Sequence, residues 1–423
     1  MAGRLRGAAK PAPAGVRLHL RGLVGSQDAV VVAAAANPQH AHVFVLHDKE
    51  EAAYFLADLQ HLLPEGAEAL LFPSPYKRPY QFDETENANV LMRAEALNRL
   101  NTVRGGAAGQ GVFIVTYPEA LTEKVINRQS LVKNTFTAKV GDKLDVNFLG
   151  ELLGEYDFEK TDFVYEAGQY AVRGGIVDVF SYANDLPFRL ELFGDEIESI
   201  RTFNPETQLS VEARPQVSII PNVQTKLLQE KREAFFDFLP HTACLWLKDV
   251  RQTLDVVTEL FDKAEANFQQ MLGEGGGMQI VSKPADLFES GKNFKKSLDE
   301  FAVVEFGKRF YFKNADTFQF TAKPQPSFNK EFPRMAKNLR ENQLRDFTTI
   351  IAADTVRQAD RLRTIFDEID NNVQFQHLLM ALREGYVDEQ LGLAIYTDHQ
   401  LFERFYRAQE AKKFSKKKAL TLR

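Results

Sequence analysis

A glycine-rich turn near the start of the chain is the first place where residue types and spacing could do chemistry. It reads Gly22-Leu-Val-Gly25-Ser26-Gln-Asp28-Ala29 and leads into an apolar stretch at 30–36. A P-loop has such a turn, but it also needs a lysine for the β- and γ-phosphates and a serine or threonine for magnesium. Asp28 and Ala29 stand at those two positions, and a carboxylate repels phosphate. The pattern therefore predicts a degenerate, non-functional P-loop.

Two further candidates for chemistry have simpler structural interpretations. Asp249 follows a short apolar strand where an acidic ATPase motif could lie, but no acidic neighbour follows it, which favours a helix N-cap. His40 and His42, with His47-Asp48 nearby, lack a closing metal-ligand motif, which favours ordinary strand-edge histidines. No nucleophile motif occurs. We therefore predict no catalytic residue and no metal site.

The charge distribution argues against a DNA motor. The 423 residues, about three domains in length, carry 52 basic and 58 acidic groups, a net charge of −6. Five basic groups lie in residues 1–21 and six in residues 412–423, with no acid in either stretch, so residues 22–411 have a net charge of −17. DNA affinity comes mainly from Lys and Arg that displace counterions, and an acidic body supplies few of these.

Cysteine content and hydropathy predict the compartment. The single cysteine, Cys244, excludes an internal disulfide framework and favours a reducing setting. No apolar run approaches the 18 or so residues of a membrane span, and residues 1–21 lack the apolar core of a signal peptide. We predict a cytoplasmic protein with no membrane association.

Hydrophobic periodicity predicts interleaved α/β and antiparallel parts. Strands at 43–46, 70–72 and 112–115 alternate with helices, which is typical of a parallel sheet covered by helices. The pattern then changes to period two, with an antiparallel meander of four strands (169–173, 176–180, 187–193 and 197–203) whose second link turns at Asn184-Asp185. The α/β alternation resumes after Pro215, with strands at 217–220, 242–247 and 301–306. A last segment contains strands near 349–352, 373–375 and 393–396. The fold class is therefore α/β, with an inserted antiparallel β-rich domain and a small carboxy-terminal α/β domain.

The domain boundaries follow from these changes of pattern. We predict an α/β domain made of 1–125 and 211–325, an inserted domain at 126–210, a small α/β domain at 326–411 and a basic linker at 412–423. The lysine-rich end of the chain, followed by the start of another motif, is typical of a fragment of a longer protein.

One strand of the meander has an unusual outer face. Arg189, Glu191 and Phe193 point away from the core side chains Phe188, Leu190 and Leu192, and Arg173 can join them from a neighbouring strand. An exposed Phe beside Arg is typical of an interface hot spot. The alternative is that Phe193 packs under the 126–165 segment and that Arg189 pairs with Glu191 or Glu198. The pattern alone leaves both open.

Several motifs resemble one known family over nearly the whole chain. They are GLVGS (22–26), GQYAVRGGIVDVF (168–180), FRLELFGDEIESIR (188–201), PQPSF (324–328) and YTDHQLFER (396–404). They resemble the amino-terminal region of the transcription-repair coupling factor (Mfd) family, which is related to UvrB, the B subunit of the UvrABC excision nuclease. The resemblance implies a degenerate RecA-like, UvrB-like parallel-sheet domain that has lost its ATPase motif.

The resemblance also implies a function and a site. The inserted domain of the family recruits UvrA, the A subunit, to lesion-stalled RNA polymerase. The matching motif positions imply UvrA-binding residues Arg173, Arg189 and Phe193, and Glu191 and Glu196 are added because they lie on the same strands. RNA polymerase and double-stranded DNA are contacted through other modules of the family, and ATP and magnesium belong to its motor domains. No cofactor and no enzymatic activity are thus expected in this fragment.

Two alternatives remain open from the sequence. One is a nucleotide-dependent, helicase-like enzyme related to UvrB. The absence of a Lys and of a Ser or Thr after Gly25 and Ser26 argues against this alternative. The other is autonomous DNA binding through the basic termini, which predicts a steeply salt-sensitive affinity.

Overall fold

The amino-terminal part of the chain alternates strands and helices, as its hydrophobic pattern predicts. The protein, seen here as a computed structural model, is described for residues 15–64, 67–75, 87–104, 111–127, 129, 133, 135–182, 184, 186–220, 232–273 and 282–403. The first elements are β1 (Arg17–Arg21), α1 (Gln27–Ala35), β2 (Ala41–Val45), α2 (Lys49–Leu62), β3 (Glu68–Phe72), α3 (Asn87–Arg104), β4 (Val112–Thr116), α4 (Pro118–Thr122) and β5 (Val125–Ile126). Asp48 caps α2 by accepting a 2.8 Å hydrogen bond from the Glu51 N–H, at the predicted helix start.

Residues 136–219 form a separate antiparallel module. Its elements are β6 (Phe136–Lys139), α5 (Val146–Glu155), β7 (Glu159–Lys160), β8 (Gln169–Arg173), β9 (Ile176–Val179), β10 (Phe188–Phe193), β11 (Glu196–Phe203), β12 (Ser210–Ala213) and β13 (Gln216–Ile219). Six strands pair in the order β12-β11-β10-β9-β8-β7. The four predicted meander strands are confirmed to within one residue at each end. Asp185, part of a predicted turn, lies outside the described residues.

The strand after Pro215 does not lie where the pattern placed it. We interpreted 217–220 as a return to the α/β alternation, but β13 pairs antiparallel with β6, with Val217 opposite Ala138. Val217 and Ile219 are buried in the core of the inserted module. The interpretation was wrong because pairing between segments about 80 residues apart is decided by packing, which no local pattern reports.

The chain then returns to the parallel sheet. Its next elements are β14 (Arg232–Glu233), α6 (Phe235–Phe238), β15 (Cys244–Leu247), α7 (Val250–Gly273), α8 (Pro284–Leu287), α9 (Gly291–Ser297), a 3-10 turn (Leu298–Glu300), β16 (Ala302–Gly307) and β17 (Asp316–Gln319). Seven strands pair in parallel in the order β17-β1-β16-β15-β2-β4-β3. Every residue of β2 and β4 is buried, as expected for central strands covered on both faces. The carboxyl ends of β1, β2, β15 and β16 meet at one edge of this sheet.

A smaller α/β unit completes the described chain. It contains β18 (Ala322–Pro324), α10 (Phe332–Leu344), β19 (Thr348–Ala353), α11 (Val356–Ile369), β20 (Gln376–Leu379), β21 (Tyr386–Asp388), β22 (Leu393–Thr397) and α12 (Asp398–Leu401). The sheet order is β18-β21-β22-β19-β20, with β22, β19 and β20 parallel. The middle strand was predicted at 373–375 but pairs at 376–379, because Val373 packs into the core just before the strand begins.

These elements confirm the predicted α/β fold class with an inserted antiparallel module. The exact domain boundaries stay a prediction, and most of the basic residues at the two ends of the chain, including 412–423, lie outside the described residues. Among the described helices, none is both long enough and apolar enough to cross a membrane.

Candidate functional site

The glycine loop joins β1 to α1 in a backbone conformation that needs glycine. Gly22 and Gly25 have φ angles of +81° and +54°, in the left-handed region that other residues avoid. A Cβ on Gly22 would lie 2.2 Å from the Phe320 carbonyl oxygen. Gln27, the first residue of α1, is buried and donates a 2.9 Å hydrogen bond from Nε2 to Asp388 Oδ2 of the last α/β unit. The loop is thus packed against other parts of the chain on two sides.

The last α/β unit takes up the hydrogen-bonding groups of Ser26. The Ser26 N–H donates to the Glu384 carbonyl at 3.0 Å, and the Ser26 hydroxyl accepts from the Glu384 N–H at 2.9 Å. The same hydroxyl donates to Asp58 Oδ2 at 2.5 Å, while Asp58 Oδ1 accepts from the Arg383 N–H at 2.7 Å. In a P-loop these loop groups face phosphate. Here Ser26 is bonded within the protein and is 2% exposed.

Asp28 belongs to a cluster of charges beside the loop. Lys248 Nζ lies 3.1 Å from Asp28 Oδ2 and 2.6 Å from Glu51 Oε1, and His47 Nδ1 lies 2.8 Å from the other Glu51 oxygen. Burial raises the pKa of Asp28, an effect that Lys248 partly offsets. Burial also opposes ionisation of Glu51, yet His47 and Lys248 together lower its pKa to about 2. Ala29, next in α1, is fully buried and supplies no hydroxyl.

The charge cluster lines a cleft of about 570 Å³ at the carboxyl ends of the parallel strands. This edge is where open α/β sheets bind ligands. Its walls carry both signs of charge, including Asp28, Glu51 and Lys248.

Of the two other sequence candidates, Asp249 has the structural role that we favoured, whereas His42 lies within the buried central strand β2 rather than at a strand edge. Asp249 Oδ1 accepts a 3.0 Å hydrogen bond from the Gln252 N–H at the start of α7, which confirms an N-cap. His42 is buried, accepts a 3.1 Å hydrogen bond from Trp246 Nε1, and has a pKa lowered to about 4 by that burial. Among the described residues, no three or more His, Cys, Asp or Glu side chains lie together so that they could hold a metal ion.

In the inserted module, two arginines converge on one buried carboxylate. Arg173 and Arg189 both form ion pairs with Asp178, whose side chain is only 1% exposed. Arg189 binds it through two nitrogens, at 2.7 Å and 2.8 Å. The register explains this geometry, because Asp178 of β9 lies directly opposite Arg189 of β10. Asp178 was not among the predicted site residues.

The two arginines differ in how far they reach solvent. The Arg189 side chain is 16% exposed, stacks 4.4 Å from the Phe203 ring centroid, and contacts the Gln208 carbonyl and side-chain oxygens at 3.3 Å. Its pKa is raised, chiefly by the hydrogen bonds to Asp178. The Arg173 side chain, at 32%, is twice as exposed. The alternative pairing of Arg189 with Glu191 or Glu198 was therefore wrong.

Glu191 has its own partners. It forms an ion pair with Arg201 and accepts a 2.9 Å hydrogen bond from the Ser199 hydroxyl. The hydrogen bond from Arg201 is the main cause that lowers the pKa of Glu191. Glu191 is thus held in an ion pair rather than left free in solvent.

Phe193 is the most exposed large apolar side chain of the described residues. It is 81% exposed and ends β10, just before Gly194, whose φ of +67° turns the chain into β11. The interpretation that Phe193 packs under the 126–165 segment was wrong. Glu196 is exposed on the other side of the same turn and is register-paired with Phe193. The exposed Phe193 ring has no role in the core and suits contact with a partner.

Two other exposed aromatic residues of this module were missed by the sequence analysis. Phe163 and Tyr165 are 48% and 56% exposed, whereas Val164 between them is fully buried. The Arg173 guanidinium lies 4.7 Å from the Phe163 ring centroid. The alternation Phe-Val-Tyr was the available signal, but these residues lie in a loop rather than a strand.

The inserted module matches a known domain family, and the whole chain is similar to longer proteins. Residues 136–224 match the UvrB interaction domain family, and this segment contains both β6 and β13. The fold and this match define the class as an α/β protein with an inserted antiparallel module that is similar to the UvrB interaction domain. Over 96% of its length the chain is 26% identical to the transcription-repair-coupling factor of Myxococcus xanthus, of which it covers 40%. It is 28% identical to that of Bacillus subtilis over 64% of the chain and 22% of the relative.

These comparisons confirm the resemblance to transcription-repair-coupling factors that the motifs indicated. A third relative, the transcription-repair-coupling factor of Haemophilus influenzae, is 29% identical over 43% of the chain and 15% of its own length. The chain therefore matches between 15% and 40% of the length of these relatives.

Proposed function

We propose that this chain is the partner-recruiting part of a transcription-repair-coupling factor and that its inserted module binds UvrA. The observation that carries the proposal is the 81% exposure of Phe193 on the module that matches the UvrB interaction domain. An exposed aromatic beside a partly exposed Arg is the composition of protein–protein hot spots. Arg173, Arg189, Phe193, Glu191 and Glu196 are the proposed site, with Arg189 held below the surface.

The charge of the module favours a protein partner over DNA. Residues 136–220 contain 7 basic and 16 acidic groups, a net charge of −9. Such a surface repels a phosphate backbone and leaves few cations to displace counterions. RNA polymerase and double-stranded DNA are accordingly proposed as partners of other modules of the coupling factor, in the cytoplasm.

The proposal includes no ATP hydrolysis by this chain. The support lies at the glycine loop, where Asp28 binds Lys248 and the Ser26 N–H donates to the Glu384 carbonyl. A phosphate placed there would meet a carboxylate and would have to displace a backbone hydrogen bond. ATP and magnesium are proposed to act in the motor modules alone. Purified chain incubated with ATP, with and without DNA, should show only background hydrolysis, and turnover above background would favour the helicase-like alternative.

Binding to UvrA is tested with Phe193→Ala and a matched control. Truncating a central aromatic anchor typically costs at least about 2 kcal/mol, which is roughly a 30-fold loss of affinity. The control is Phe148→Ala, because Phe148 is also exposed, at 55%, but lies on α5, which packs against the opposite face of the sheet. Titration of UvrA with each variant measures the dissociation constants. Equal affinities for the native chain and Phe193→Ala would contradict the proposed site.

A further inference from the structure

We propose that Phe163 is a docking residue for UvrA, acting together with Arg173 as one stacked pair. This inference rests on the proposed function and extends its contact surface to an aromatic strip, defined as Phe163, Arg173 and Phe193. The strip fits a partner surface that has apolar pockets for the two phenylalanine rings and a hydrogen-bond acceptor for the Arg173 guanidinium. Neither the motifs nor the family resemblance pointed to Phe163.

The loop that carries Phe163 is held in place by the module. Val164 is buried beside Phe180 and Phe203, and its carbonyl accepts a 3.2 Å hydrogen bond from Gln208 Nε2. The Thr161 hydroxyl donates to the Phe163 carbonyl at 2.9 Å. An exposed ring on a loop that is already ordered gives up little conformational freedom when a partner covers it. Phe163 therefore meets the physical requirement for an interface anchor.

Arg173 is fixed between Phe163 and the sheet. Its Nη1 donates to the Asp162 carbonyl at 2.6 Å, its other terminal nitrogen pairs with Asp178, and its guanidinium lies 4.7 Å from the Phe163 centroid. About a third of the side chain still reaches solvent. The guanidinium thus lies within cation–π distance of the Phe163 ring, and both side chains remain partly exposed.

The three members of the strip lie at the same end of the sheet. Arg173 ends β8, and the following turn is bonded to β10 because the Leu192 N–H donates to the Gly175 carbonyl at 2.7 Å. Phe193 is the next residue along β10. Arg189 lies deeper and shares Asp178 with Arg173. Arg189 is accordingly a positioning residue that fixes the carboxylate under the strip.

The test measures UvrA affinity for Phe163→Ala, Phe163→Tyr and the control Phe148→Ala. Loss of the ring should weaken binding about tenfold, whereas Tyr keeps the stacking surface and should stay within about twofold of the native chain. Phe148→Ala should bind like the native chain. Because both phenylalanines are about half exposed, their truncation should leave the thermal unfolding midpoint nearly unchanged.

A double-mutant cycle with Arg173→Ala tests the stacked pair. If Phe163 and Arg173 act as a unit, the double variant should lose much less affinity than the product of the two single losses. If the affinity loss of the double variant equals the product of the two single losses, Phe163 and Arg173 do not act as a unit. Native affinity in Phe163→Ala, with Phe193→Ala still weakened, would overturn the inference and leave the proposed function standing. Native affinity in both variants would overturn the proposed function itself.

Discussion

The Ser26 hydroxyl donates a 2.5 Å hydrogen bond to Asp58 Oδ2 and accepts one from the Glu384 N–H in a buried junction. This relationship joins the glycine loop, helix α2 and the last α/β unit through a single hydroxyl. Asp58 is 2% exposed, and its other carboxylate oxygen accepts a hydrogen bond from the Arg383 N–H. The glycine loop thus connects two parts of the chain through Ser26.

The junction should make stability depend on pH through Asp58. Burial, with a smaller contribution from Asp28, raises the pKa of Asp58 from 3.8 to about 7, although the hydrogen bonds from Ser26 and the Arg383 N–H and the charge of Arg383 oppose the shift. Because the folded pKa lies above the unfolded one, the folded state binds the extra proton. The stabilisation is full below pH 4, falls by up to about 1.4 kcal/mol per pH unit as pH rises towards 7, and is absent above.

Asp58→Asn isolates this effect, since the amide cannot ionise. Chemical denaturation of both proteins from pH 4 to 8 should show the native chain losing stability relative to the variant up to about pH 7. Carboxylates elsewhere titrate in both proteins and cancel. Parallel curves across this range would contradict a raised Asp58 pKa.

Lys248→Met should destabilise the chain. Lys248 neutralises Asp28 and Glu51, and its own side chain is only 18% exposed. Its removal leaves Asp28 without its cation and leaves Glu51 with His47 as its only basic partner among the described residues. We expect a loss of about 3 kcal/mol, the lower end for a broken buried pair. The control is Lys263→Met, whose exposed pair with Glu259 on α7 should cost less than about 0.5 kcal/mol. Similar denaturation midpoints for the two variants would show that the ion pairs of Lys248 do not stabilise the fold more than an exposed pair does.

Gly25→Ala should destabilise the junction more than Gly174→Ala destabilises its turn. Both glycines have left-handed φ angles, +54° and +60°, so both substitutions carry similar backbone strain of about 1 kcal/mol. A Cβ at Gly25 would also lie 3.0 Å from the carbonyl oxygens of Glu384 and Gly385, whereas open space surrounds one at Gly174. We expect a further loss of about 1–3 kcal/mol for Gly25→Ala. Equal unfolding free energies would mean that the loop separates readily from Gly385.

Local pattern predicted the four meander strands of the inserted module, β8 to β11. Phe188 and Leu190 alternate with Arg189 and Glu191, and period two is a property of a strand alone, whatever it later pairs with. The exposure of Phe193 could not be settled in this way, because it depends on whether another segment covers the end of β10. The position of Phe163 beside Arg173 likewise depends on a loop folding back over the sheet.

The amino-acid sequence by itself determined the α/β class, the antiparallel insertion and the residues that stand at the glycine loop. Only the tertiary structure decided which elements and side chains pair with one another. It pairs β13 with β6, Arg189 with Asp178, and Ser26 with Glu384. The physical reason is that helix and strand periodicity arises within a few residues. A hydrogen bond between residues 26 and 384 exists only after two units have packed together, and nothing in the pattern around either residue reports the other.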